Sequence, residues 1–182
     1  MVLPQNRKVV RRRDLTVEVR SIKLVVETLN AARVRYIIVG GLAVNAHGYF
    51  RATNDLDLVV ELEPVNIESA LIELGKIGDR PKIPVTVAQF SNPKLRESWI
   101  RDKNMMVFQL WSDSHLRTPI DIFVQEPFPF SAEAAQAIHR EVFPGVSAPF
   151  VSLPTLLAMQ RAAGRTKDLL DVENLEHPPS DG

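Results

Sequence analysis

Residues 37–60 read IIVGGLAVNAHGYFRATNDLDLVV, and this stretch decides the fold. Tyr36, Ile37, Ile38 and Val39 form a short, β-branched-rich apolar run, which is the pattern of a buried strand. It stops at Gly40-Gly41. Residues 42–47 suit a short helix, with Gly48 where a C-terminal cap is wanted. Residues 56–62 alternate loosely and read as a second strand. Asp55 and Asp57 are then two apart in extended chain, so both carboxylates point the same way while Leu56 and Leu58 face the core. Two carboxylates so close repel unless a cation lies between them, and a hard divalent ion such as Mg²⁺ fits the gap. Standing alone, the pair also fits the wet face of an edge strand.

Three further features bear on that choice. Gly40 and Gly41 lack Cβ atoms, so a phosphate could approach the backbone beside a helix N-terminus, although a tight strand-to-helix turn also uses glycine. Asp121 sits inside the apolar run Ile120-Asp121-Ile122-Phe123, where an acid is costly unless it is paired or bound to a metal. Near the end, Arg161, Arg165 and Lys167 gather beside Asp168, and Arg165 or Lys167 could meet a triphosphate.

Outward from this centre the chain alternates helix and strand. The spacing predicts helices over 16–33, 66–77, 93–101, 131–140 (capped by Ser131), 152–163 (with Ser152 as N-cap) and 166–175, the last two separated by Gly164. Strands are predicted over 85–90, 105–111 and 120–124. The result is one mixed α/β (α+β) domain over 16–176 with C-terminal helices over 150–176. A basic segment precedes it over 1–15, and a Pro-rich tail expected to be disordered succeeds it over 177–182.

Composition narrows the chemistry. The 182 residues contain no cysteine, which excludes disulfides, thiolate catalysis and cysteine-ligated metals. The four histidines form no HxxxH or HExxH pair. No apolar run approaches the roughly 18 residues of a membrane helix, and the basic N-terminus lacks a signal-peptide core. The expectation is a cytoplasmic protein with no membrane partner. Charges balance at 22 against 22 but are unevenly spread: residues 1–35 hold nine Lys/Arg and three acids, residues 54–79 seven acids and one Lys. The basic entry segment fits an RNA footprint or a solvated terminus.

The order Val39-Gly40-Gly41, thirteen residues, Asp55-Leu56-Asp57-Leu58, then Ile120-Asp121-Ile122 resembles the nucleotidyltransferase superfamily that shares a core with DNA polymerase β. GGLAVNAHGYFRATNDLDL together with AGRTKDLLD resembles its small bacterial members related to abortive-infection toxins of toxin–antitoxin pairs. The resemblance spans residues 22–175 and implies a short mixed sheet flanked by helices, with a helical C-terminal part closing a cleft. It implies that Asp55 and Asp57 bind the Mg²⁺ escorting a nucleoside triphosphate, and that Asp121 completes a second-metal site and helps deprotonate the attacking hydroxyl. Gly40 and Gly41 would hold the β- and γ-phosphates, with Arg51 and Lys167 as further phosphate contacts. The activity implied is transfer of a nucleoside monophosphate from ATP or another NTP to an acceptor hydroxyl. RNA, particularly tRNA, is the first choice of acceptor, a protein side chain the second and a small molecule, as in antibiotic-inactivating relatives, the third. A cognate antitoxin protein is an implied partner, and a catalytically inactive binding member of the fold is the rival reading. The sequence departs from the family at Gly41, where many members carry Ser.

Other residues have plainer readings. Arg51 could instead pair with a nearby acid, Lys167 could form an ion pair with Asp168, and Thr53 suits a turn. His47 suits a helix end. Trp99 and Trp111 suit core or groove wall, with Trp111 also able to stack on a base. His115 and Arg117 precede the Asp121 strand and carry no assigned role.

Overall fold

The computed structural model describes residues 19–113 and 118–177. The 1–15 segment, His115, Arg117 and the tail beyond His177 lie outside the described residues.

The described residues begin with α1 (Val19–Ala31), whose buried stripe of Ile22, Val25, Val26 and Leu29 has helical spacing. Next come β1 (Tyr36–Ile38), α2 (Gly40–Ala46), β2 (Leu56–Val60) and α3 (Pro64–Lys76). Glu63 caps α3 by accepting from the Asn66 N–H, and Pro64 occupies its first turn. Then come β3 (Arg80–Pro81), α4 (Val87–Ser91), α5 (Pro93–Lys103), β4 (Val107–Trp111) and β5 (Ile120–Phe123). The C-terminal part comprises α6 (Phe130–Ala134), β6 (Ile138–Phe143), β7 (Val146–Phe150), α7 (Leu153–Ala163) and α8 (Thr166–Glu176).

One sheet holds all seven strands in the order β3-β4-β5-β2-β1-β7-β6. It is mixed: β2–β5 and β1–β7 run parallel, the other neighbours antiparallel. Register sorts its two faces. Phe108, Ile122, Leu58, Ile38 and Phe150 lie in one row across five strands, all buried. Phe90 of α4 stacks on Phe108 at 4.5 Å between ring centroids and lies 6.3 Å from Trp99 of α5. The α4–α5 pair therefore covers this face, with α3 packed beside α4 and α1 beside α3. One residue along each strand, Gln109, Asp121 and Asp57 form the corresponding row on the opposite face. There α2 crosses above Asp57, α7 packs on α2, and α8 packs on α7.

Two segments and one cap depart from the sequence expectation. Residues 85–90, predicted as a strand, instead enter α4: Thr86 and Gln89 form a capping box, which overrides a short apolar run that fits either period. The helix predicted over 131–140 ends at Ala134, and Ser131 is not its cap, since Pro129 holds that position. The rest of that segment enters the β6–β7 hairpin, turned at Pro144-Gly145 with Gly145 at φ +79. There β6 pairs with β7, which in turn pairs with β1, so the segment extends the sheet in place of a longer helix. Ser152 does occupy the N-cap of α7, but its side chain makes no capping bond. The buried Glu133 caps instead, accepting from the Ser152 N–H and the Thr155 hydroxyl, both at 2.6 Å.

Candidate active site

Asp57 and Asp121 are direct partners on the parallel strands β2 and β5, so their side chains rise side by side from the same face. Burial pushes the Asp57 carboxyl up to about 6, and the charges of Asp121 and Asp55 add to this. Lys167 and the Gly41 backbone N–H oppose the shift. Asp121 is also raised, by burial first and by Asp55, against a hydrogen bond from Gln109 and the charge of Lys82. The Gln109 Nε2 donates to Asp121 Oδ1 at 2.8 Å, and Lys82 Nζ donates to Gln109 Oε1 at 2.8 Å. Gln109 is a site residue that the sequence reading missed. A polar residue between the buried Phe108 and Leu110 is its only local signal, and the β4–β5 register is needed to bring it to Asp121.

Among the described residues, no group of three or more acidic or imidazole side chains is close enough to hold a metal by itself. A hard ion such as Mg²⁺ takes only one or two carboxylates and fills the rest of its shell with substrate oxygens and waters. The raised acids Asp57 and Asp121, with Asp55 close enough to act on both, fit such an ion.

The strand-to-helix turn is shaped by this pair. Gly40 has φ +61, and a Cβ there would fall 2.7 Å from Asp57 Cγ. A Cβ on Gly41 would lie 2.7 Å from Thr53 Cβ and against its hydroxyl, so Thr53 fills the volume that a serine at 41 would take. Thr53 also donates to the Asp55 carbonyl at 3.4 Å, the local bond expected of a turn residue.

The sequence-chosen cations divide. Arg51 grips Asp171 through Nε–Oδ1 at 2.6 Å and Nη2–Oδ2 at 2.7 Å, while Nη1 donates to the Ala52 carbonyl. Asp171 also accepts from Gln160 of α7 at 2.9 Å. This lash ties the loop before β2 to both C-terminal helices, and pairing with an acid is what the geometry gives Arg51. Asp168 pairs with Arg165, at 2.5 and 3.2 Å, and not with Lys167. Lys167 makes no ion pair among the described residues and acts on Asp57 across the cleft.

His47 ends α2, its Nε2 within 2.8 Å of the Val151 carbonyl. Trp99 belongs to the core, whereas Trp111 is 40% exposed.

All seven residues singled out from the sequence — Gly40, Gly41, Arg51, Asp55, Asp57, Asp121 and Lys167 — line one cleft of about 1000 Å³. Its other end is apolar, walled by Met106, Phe123, Phe128, Pro129 and Met159. No sequence pattern marks that wall, because its members come from separate segments.

No family model and no curated protein matches the chain. Solved structures do. The lincosamide antibiotic adenylyltransferase LnuA, determined with lincomycin bound, is 13% identical with a TM-score of 0.59 over 89% of this chain and 98% of that one. ANT(2″)-Ia in complex with adenylyl-2″-tobramycin is 15% identical with a TM-score of 0.55 over 86% of each chain. An antigenic nucleotidyltransferase-like protein from Paracoccidioides brasiliensis is 14% identical with a TM-score of 0.54 over 90% of this chain and 76% of that one. The mixed sheet, with its acid-bearing strands beneath a glycine turn, has the nucleotidyltransferase fold.

Proposed function

We propose that the protein is a Mg²⁺-dependent nucleotidyltransferase that moves a nucleoside monophosphate from an NTP to an acceptor hydroxyl. The observation that carries this reading is the Asp57–Asp121 pair, side by side and without a cationic partner of its own among the described residues, beneath a turn whose glycines leave no Cβ in the way. Asp55, Asp57 and Asp121 would hold the metal, which when bound neutralises phosphate charge and activates the attacking oxygen.

The chain's own residues have separable tasks. Gln109 occupies one oxygen of Asp121 and leaves Oδ2 to take the proton of the acceptor hydroxyl, while the raised affinity of this carboxyl for a proton suits a base. As the acceptor oxygen bonds to the α-phosphorus, the bond to the bridging oxygen breaks and pyrophosphate leaves. Lys167, with the Gly40–Gly41 backbone, would meet the negative charge that collects on that leaving group. Arg51 would add positive potential from its lashed position and keep the cleft wall in place.

For the acceptor, RNA or tRNA is the leading choice, supported by the toxin-like motifs and the basic entry segment. On the same motifs we propose that the protein is the toxin of a toxin–antitoxin pair. A small-molecule acceptor is the second reading, favoured by the apolar wall of Met106, Phe123, Phe128 and Met159, which suits a compact molecule with a greasy face.

The test is label transfer. The native chain and Asp57→Ala are incubated with Mg²⁺ and each α-labelled NTP, with tRNA or without added acceptor. Label reaching RNA or protein only with the native chain supports the reading. Retention of transfer by Asp57→Ala would remove it.

A further inference from the structure

Beyond the cleft, the acid-bearing face of the sheet continues outward to its β3 edge, on the side away from the α4–α5 pair whose Phe90 stacks on Phe108. Register places its side chains. Gln109 pairs with Asp121, the Lys82 N–H bonds the Gln109 carbonyl, and Trp111 pairs with Arg80. Partners on adjacent strands project to the same side, so Asp121, Gln109, Lys82, Trp111 and Arg80 share one face. The Lys82–Gln109–Asp121 hydrogen bonds make this continuity physical. Trp111 is 40% exposed, and Arg80 and Lys82 are exposed beside it. Charge changes sign along the chain at this point. Residues 54–79 hold seven acids and one Lys, whereas Arg80 and Lys82 follow at this edge; the other Lys/Arg of residues 80–111 (Lys94, Arg96, Arg101, Lys103) belong to α5 on the opposite face.

We infer that this edge holds the acceptor as a single-stranded RNA end, with a base stacked on Trp111 and backbone phosphates on Arg80 and Lys82. An aromatic face beside cations, within two strands of the acid that takes the acceptor's proton, is the chemistry of a stacking platform on an electrostatic track. In the cleft Arg51 and Arg165 are paired with Asp171 and Asp168 and the proposed reaction commits Lys167 to the triphosphate, so a second polyanion finds its countercharge at Arg80 and Lys82 on this outer face. The inference rests on the proposed transfer reaction for its meaning, but the binding surface is tested apart from catalysis.

The probe is a short fluorescein-labelled single-stranded oligoribonucleotide, its binding followed by anisotropy over a salt series. It is compared for the native chain, Trp111→Ala, Trp111→Phe and Arg80→Glu, with circular dichroism and melting temperature confirming that each variant folds. Trp111→Ala should weaken binding about 5- to 150-fold, the range for losing one stacked base, and Trp111→Phe should restore part of it. Arg80→Glu should weaken binding and flatten the salt dependence by about 0.7 in slope per lost phosphate contact. Failure of the native chain to bind, or equal binding by native and folded Trp111→Ala and Arg80→Glu, would overturn the inference whether or not label transfer is observed. Binding through Trp111 in a chain that transfers no label would keep this surface and sink the catalytic reading.

Discussion

Asp57, Asp121 and Asp168 line the cleft and Asp171 lies behind its Arg51 wall, and these aspartates form two unlike pairs. Asp168 and Asp171 are almost wholly buried, at 1% and 0% exposed, yet each is gripped by an arginine: Arg165 for the first, Arg51 for the second. Asp57 and Asp121 lie side by side with no guanidinium between them, and both hold their protons more tightly than a free carboxyl. Burial alone does not separate the pairs, because the deeper one is the better paired. The difference is the counter-charge. The chain supplies it where acids serve the scaffold and withholds it where a cation from outside is expected.

The largest effect that could break this contrast is on activity. Asp57→Asn should cost at least about 10²- to 10³-fold in label transfer, the scale of removing one charge-stabilising group from a catalytic site. The same change should stabilise the metal-free chain at neutral pH, by on the order of 2–3 kcal/mol in urea unfolding, because it removes a charge the fold leaves uncompensated. Asp171→Ala should do the opposite, costing about 3 kcal/mol by stranding Arg51 and Gln160. If both substitutions destabilised the chain alike, the two pairs would not differ in kind.

The sign of the pH dependence sharpens the contrast. The folded Asp57 carboxyl binds its proton up to about pH 6, whereas the unfolded one releases it near 3.8. Between those values the folded state holds the extra proton, so metal-free stability should fall as pH rises from about 4 to about 6. Asp57→Asn should flatten that decline in a pH series of melting temperatures.

A smaller effect is expected at the turn. Gly40→Ala must place a Cβ against Asp57 at a positive φ and should cost about 1–3 kcal/mol in urea unfolding. Smaller still is Gln109→Ala. Loss of its bond to Asp121 lets that carboxyl rise further, so the acid limb of the pH–rate profile should move to higher pH.

What is legible in the sequence is local. The strand period puts Asp55 and Asp57 on one side, Gly40-Gly41 marks the turn, and an acid inside Ile120–Phe123 stands out against its neighbours. The α7–α8 pair is legible from Pro154 and Gly164, the latter taking the left-handed φ of +65. Long-range partners are not. Arg51 and Asp171 are 120 residues apart, and the rank of Gln109 beside Asp121 depends on a strand register that no local pattern fixes. The hairpin over 138–150 is hidden because alanines at 132, 134 and 135 favour helix locally, while pairing with β1 decides the outcome.

The central claim, that Asp57 and Asp121 form a cation site and Asp168 and Asp171 do not, is tested most directly by thermal unfolding with Mg²⁺ and a non-hydrolysable NTP supplied together. The native chain should gain melting temperature over nucleotide without metal, and Asp57→Asn should lose that metal-dependent gain while remaining folded. An equal metal-dependent gain in both chains, or none in the native one, would contradict the account.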